Sequence, residues 1–188
     1  KRDPVTFAEM EQMAQAVAKS GLFPAIKTPE AALGLMLLCQ AEGLHPITAL
    51  RRYHIIQGQP AMKADTMLAE FQHRGGKVRW IRVDHEVCEA AFLAPGVDGE
   101  TTVKWTLDDA KRAKLLHKDN WQQYPRQQLR ARTISEGVRL TMPEVIAGLY
   151  TPEEVQDMIE AQVERPAATI TDDLMPRRKG EAPESNEN

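Results

Sequence analysis

The stretch KVRWIRVDHEVCEAAFLAPGVDGETTVKWTL, Lys77 to Leu107, decides the fold class. Its first eight residues alternate: Val78, Trp80 and Val83 fall on one face of an extended strand, Lys77, Arg79 and Arg82 on the other, with Ile81 out of step. One face of this strand is apolar and the other basic. EVCEAAFLAPG continues as a second strand to Pro95-Gly96, and the Gly-Val-Asp-Gly turn leads into a third, ETTVKWTL, which together read as a three-strand antiparallel meander. Upstream, Tyr53 to Ile56 has strand composition, QGQP reads as a turn, and Ala61-Met62-Lys63 as a return strand, giving a small hairpin.

Helices surround these strands. Thr6 with Glu9 is a capping box for a first helix whose apolar positions Phe7, Met10, Met13, Ala14 and Val17 recur at helical spacing. Thr28-Pro29-Glu30 opens a second, apolar nearly all round and so expected to be buried, and Gly43 ends it. Asp65 is the expected cap of a third, MLAEFQHR. Thr106 with Asp109 opens another, Pro125 begins the longest, running to about Thr141, and Thr151-Pro152-Glu153-Glu154 caps a last one ending near Glu164. The order of helices, hairpin, helix, meander and helices predicts an α+β protein: a small antiparallel hairpin and a three-strand meander packed with helices. Residues 1–164 form one domain in this reading, and 165–188, where proline and charge replace apolar periodicity, an acidic disordered tail.

With 188 residues, 42% hydrophobic and 27% charged, the chain is long enough for one real core. The longest apolar patch, Ala31 to Cys39, is too short to cross a bilayer, so no membrane role is expected. KRDPVTFAEM at the N-terminus carries neither an apolar signal segment nor an initiating Met, which predicts a trimmed chain and a cytosolic setting. Cys39 and Cys88 lack paired spacing and read as reduced, buried thiols.

Charge is unevenly placed. From Arg51 to Arg82 seven Lys or Arg face two carboxylates, and from Lys104 to Arg139 nine face four. After Thr141 the sign reverses, with eleven carboxylates against four cations, so a net charge of -3 hides a basic middle and an acidic end. The pattern suggests a polyanion for the middle and a solvated or protein-binding role for the end. Within KDNWQQYPRQQLRARTISEGVR, Lys118 to Arg139, a helix from Pro125 puts Arg126 and Arg130 one turn apart on one side, and Arg132 and Arg139 on another. The packing face of Ala131, Ile134 and Val138 runs between them. One arginine pair is therefore expected to meet a ligand and the other a protein surface.

Motifs for nucleotide-driven chemistry are missing: there is no G-x-x-x-x-G-K-[ST] and no G-x-G-x-x-G, and Gly75-Gly76-Lys77 lacks a following helix. No cofactor is expected. Ser135 sits mid-helix, outside any nucleophile elbow, and reads as a small packing residue. Cations beside aromatics, around Trp80, Trp105, Trp121 and Tyr124, offer phosphate contacts and stacking surfaces, while each tryptophan also has a plain reading as core.

Two stretches carry a resemblance. YHIIQGQPAMKADTMLAEFQHRGGKVRWI resembles the hairpin, helix and R-x-G ending of the RecT and Redβ single-strand annealing proteins of phages. Lys118 to Arg139 together with LYTPEEV, Leu149 to Val155, resembles the late helices of RecT-like proteins. The likeness spans roughly Ala31 to Val155. The family's Gly-Tyr-Lys-Gly after the hairpin is replaced by Lys63-Ala64-Asp65-Thr66, with Lys63 standing nearest its lysine. The resemblance implies a RecT/Redβ-like core in a cytoplasmic, phage- or prophage-encoded protein of a bacterial host. It implies a non-enzymatic role: ATP-independent binding of single-stranded DNA and annealing of complementary strands in recombination, through a basic groove in a ring or helical homo-oligomer. Single-stranded DNA and annealed duplex are the implied ligands, and a phage exonuclease or a host single-strand binding protein would dock on the C-terminal region.

Candidate DNA-backbone contacts are Lys63, Arg74, Lys77, Arg79, Lys104, Lys111, Arg112, Lys114, Lys118, Arg126, Arg130 and Arg132, with Asn120 and Trp121 either positioning the following helix or touching DNA. A rival expectation is a metal-dependent nuclease of a phage recombination module using Asp84, Glu86 or Glu100. A third is a scaffold whose basic faces pair with acidic tails of neighbouring copies.

Overall fold

A computed structural model of the chain describes residues 4–146 and 148–163. The expected tail, 165–188, lies outside the described residues. Helix α1, Phe7–Ser20, begins with the anticipated capping box: the Glu9 N–H donates to the Thr6 hydroxyl and the Thr6 N–H to the Glu9 carboxylate at 2.8 Å. Helix α2, Pro29–Ala41, starts at Thr28, whose hydroxyl accepts from the Ala31 N–H, and packs along α1. It buries Ala32, Leu35, Met36 and Cys39 but leaves Leu37 exposed, so the expectation of burial all round holds for one face only. A 3-10 turn at Pro46–Thr48 and a single helical turn, α3 at Ala49–Arg52, lead into the hairpin.

Strands β1, Tyr53–Ile56, and β2, Gln59–Met62, are antiparallel with Ile56 opposite Gln59. The turn is therefore Gln57-Gly58, both at positive φ (48° and 84°), as a two-residue hairpin loop requires. The return strand begins two residues before the expected Ala61, because Pro60 sits within it, opposite Ile55. A proline fits in this two-strand sheet, whose β2 makes one further backbone link, the Met62 N–H donating to the Tyr150 carbonyl at 2.9 Å. Helix α4, Ala64–His73, has Lys63 and not Asp65 at its N-cap. Asp65 lies in the first turn, where its charge suits the helix dipole and its side chain is used elsewhere.

The meander forms as expected: β3, Lys77–Val83, β4, Val87–Leu93, and β5, Thr101–Thr106, in the order β3-β4-β5, all antiparallel. The register slips between Trp80 and Arg82. Ile81, the residue out of step in the sequence, is thus the extra residue of a β-bulge, and the slip restores Arg82 to the face of Lys77 and Arg79. Helices α5, Leu107–Arg112, α6, Asp119–Gln123, α7, Pro125–Thr141, and α8, Pro152–Val163, complete an α+β architecture.

Helix α7 lies across one face of the sheet and along α4. Its Gly137 touches the Phe92 ring so closely that a β-carbon there would stand 2.2 Å from it, and Phe92 meets Phe71 of α4 edge to face. The Thr133 hydroxyl donates to the Leu129 carbonyl at 2.9 Å and lies 3.2 Å from that of Cys88, and the Trp105 indole N–H donates to the Glu136 carboxylate. The main core joins Met10, Met36, Tyr53, Met62, Met67 and Phe71 to Phe92, Ile134 and Val138. A satellite core holds Cys88, Ala110, Leu115, Trp121 and Leu129. Full burial of each Met, Leu, Ile, Val or Phe side chain among these contributes on the order of 1.5–3 kcal/mol. Both cysteines are free and buried. Among the described residues no single helix is long and apolar enough to cross a membrane.

Candidate nucleic-acid interface

The basic stretch Lys118 to Arg139 meets the acidic end of the chain directly. The Lys118 ammonium contacts the carboxylates of Asp157 and Glu160, the Arg132 guanidinium pairs with Asp157 and lies 3.8 Å from Glu154, and Arg139 pairs with Glu154 at 3.2 Å. Arg132 and Arg139 also lie over the rings of Trp105 and Tyr150. Glu154 is the centre of this lattice. Its side chain is 9% exposed, and it accepts from the Ser135 hydroxyl and the Thr151 N–H, both at 2.8 Å. Burial works to raise its pKa, but the Thr151 N–H, Arg139 and Ser135 together hold it below the ordinary value. For Lys118 burial opposes the charged form and the two carboxylates outweigh it, so its pKa is raised. Part of the acidic end, helix α8, therefore neutralises the chain's own cations. Ser135 is the buried packing residue anticipated, with a hydrogen-bonding duty added.

Trp121, at 2% exposed, lies in the satellite core, and the Asn120 side chain accepts from the Trp121 N–H at 2.9 Å. Trp121 shares that core with Leu129 of α7, while the Asn120 bond stays within α6. The other arginine pair of α7 has different surroundings. Arg130 pairs with Asp65 of α4 at 2.7 Å and sits 5.4 Å from the centre of the Trp80 ring. Arg126, one turn earlier, is exposed and has no ion-pair partner among the described residues, and the same is true of Lys63.

The meander has a second, open face. With α7 covering the side of Val78, Trp80, Ala90, Phe92, Val103 and Trp105, the strand alternation turns Lys77, Arg79, Arg82, Glu89, Thr102 and Lys104 the other way. Arg79 stands beside Ala91 and Thr102, and Arg82 and Lys104 flank Glu89. Lys77, Arg79, Arg82, Thr102 and Lys104 are all exposed. Lys77 and Lys104 have no ion-pair partner among the described residues; Arg79 pairs with Glu100, and Arg82 with Asp84 and Glu86, all at the surface. Surface pairs of this kind are screened by water, contribute little to stability and exchange readily for another anion. Lys111 and Lys114, on and just after α5, are likewise exposed and unpaired among the described residues, while Arg112 pairs with Asp109 and Arg74 with Glu70.

The candidate residues thus fall into groups: Lys77, Arg79 and Lys104 on the open sheet face, Lys63, Arg126 and Arg130 near the start of α4 and α7, Lys111, Arg112 and Lys114 around α5, Arg74 at the end of α4, and Lys118 and Arg132 under α8. Arg82 was absent from the sequence candidates; the alternation already put it on the basic face, and the bulge at Ile81 confirms that placement. Asp84, offered for metal chemistry, is held by the N–H of Glu86, by Arg82 and by the N–H of Val87, which lower its pKa to about 2. Glu100 is engaged by Arg79. Among the described residues no three His, Cys, Asp or Glu side chains come together as a metal set. No family model matches the chain, and no curated protein matches it either.

Proposed function

We propose that this protein binds single-stranded DNA through its backbone, without ATP, and promotes annealing to a complementary strand, as a RecT/Redβ-like annealing protein acting as a homo-oligomer. The observation that carries the reading is the open face of the meander, where Lys77 and Lys104 stand without an ion pair among the described residues and Arg79 and Arg82 are held only by exchangeable surface carboxylates. Phosphate contacts from Lys and Arg are sequence-independent, and that is what an annealing protein needs, because the bases must stay free to pair. Lys63, Arg126 and Arg130 extend the cationic surface along the sheet's neighbouring edge, and Lys111 and Lys114 beyond β5. Annealed duplex is the product, and the C-terminal region is the place for an exonuclease or single-strand binding protein to dock.

The test is a strand-annealing assay with two complementary oligonucleotides, one fluorescein-labelled, in the absence of nucleotide and divalent metal, with retention of one oligonucleotide measured in parallel. Salt-sensitive retention and faster pairing support the reading. Absence of retention at low salt would falsify it, and shortening of the labelled strand on adding magnesium would move the function to nuclease chemistry.

A further inference from the structure

Three tryptophans stand beside cations, and only one of them has a ring open to a ligand. Trp121 is buried, and Trp105 is half-buried with its indole N–H on Glu136 and Arg132 over its ring. Trp80 is 38% exposed, on a strand that among the described residues pairs with β4 alone, so it lies at an edge of the sheet. Next to it the bulge holds Ile81, 46% exposed. Two cations lie on this side of the sheet: Arg130, over the indole and bonded to Asp65, and Arg126, one helical turn away. Arg79 and Arg82 turn to the opposite face and are held by Glu100, Asp84 and Glu86. A flat aromatic ring edged by guanidinium groups matches the two parts of a nucleotide, a π-faced base and a phosphate.

We propose that Trp80 is a stacking seat for one unpaired nucleobase of the bound strand, with Arg130 leaving Asp65 to hold the phosphate of the same nucleotide. This rests on the single-strand reading above and adds to it a base contact indifferent to sequence. The Arg130–Asp65 pair is exposed, so exchanging the carboxylate for a phosphate costs little. A single seat in each copy would anchor the strand and leave the other bases free to pair.

The test uses the full chain, an oligothymidylate, and a base-free deoxyribose-phosphate oligomer of equal length, with affinities from anisotropy and binding also followed by tryptophan emission. Oligothymidylate should quench the emission of the wild-type protein. Trp80→Phe should keep most of the affinity and lose that quench, with an unchanged melting temperature. Trp80→Ala should bind oligothymidylate about tenfold more weakly, the usual cost of one lost base stack, yet bind the base-free oligomer as the wild type does. Equal weakening toward both oligomers, unchanged affinity for oligothymidylate, or a quench that survives in Trp80→Phe each overturns the seat. If the wild type retains neither oligomer at low salt, the DNA reading falls and the seat with it. Tight wild-type binding combined with indifference to Trp80 removes the seat alone.

Discussion

Glu154 shows how much one residue can hold together. A carboxylate with so little exposure is costly to desolvate, and here Ser135, the Thr151 N–H and Arg139 offset that cost. Because these donors keep its folded pKa below the ordinary 4.5, the unfolded chain takes up a proton first as pH falls. The stabilisation is therefore fully present above pH 4.5 and is lost as pH drops through the lowered folded value. Glu154→Ala should cost about 3 kcal/mol at neutral pH, the low end for breaking a buried ionic network, since Arg139 can partly turn to water. Urea unfolding should show the gap between Glu154→Gln and wild type narrowing below pH 4.5; a gap constant with pH would mean that the charge of Glu154 plays no part. The sequence made Thr151 and Glu154 legible as a helix start. It did not reveal the partners, since Ser135 and Arg139 are brought there only by the fold.

At the scale of elements, the sequence carried most where signals are local. Capping residues located α1, α2, α5 and α8, Pro125 located α7, and strand alternation located the meander, including Ile81 as the residue out of step. Errors arose where one residue type has two local uses. Pro60 looked like a turn residue and lies in β2, and Asp65 looked like a cap and instead pairs with Arg130 of α7. Which cations stay available was illegible for the same reason: α7 displays two arginine pairs, and only the docking of α8 decides that Arg132 and Arg139 are spent on carboxylates. This has a measurable consequence. Asp157 and Glu160 hold Lys118, and Asp157 also holds Arg132, in a largely buried lattice of which Glu160 is the exposed rim. Removing both charges with Asp157→Asn and Glu160→Gln should raise affinity for a single-stranded oligonucleotide about three- to fivefold at low salt, as expected of two unit charges several ångströms from a polyanion in a water-like dielectric. The gain should vanish at high salt, where such interactions are screened. A gain that persists there would have to come from a rearranged surface.

Across the whole molecule, a formal net charge of -3 conceals a division of labour. The acidic end answers Lys118 and, on α7, Arg132 and Arg139, while on the open sheet face Arg79 and Arg82 pair only with surface carboxylates and Lys77 and Lys104 with none among the described residues. Reversing charge should then have opposite effects in the two places. Arg132, inside the lattice under α8, is structural, so a carboxylate there would face Glu154 and Asp157 and destabilise the fold. Lys77 and Lys104, exposed and unpaired among the described residues, contribute to binding and hardly to stability. The double variant Lys77→Glu/Lys104→Glu should melt as the wild type does yet bind single-stranded DNA at least tenfold more weakly at low salt. Each lost phosphate contact should reduce the slope of log affinity against log salt by about 0.7, so the pair by about 1.4. Because these side chains touch phosphates and not base edges, the loss should be equal for mixed-sequence and homopolymer strands. A loss confined to one sequence would mean that the sheet face reads bases; no loss at all would leave Lys63, Arg126 and the α5 lysines as the path of the strand.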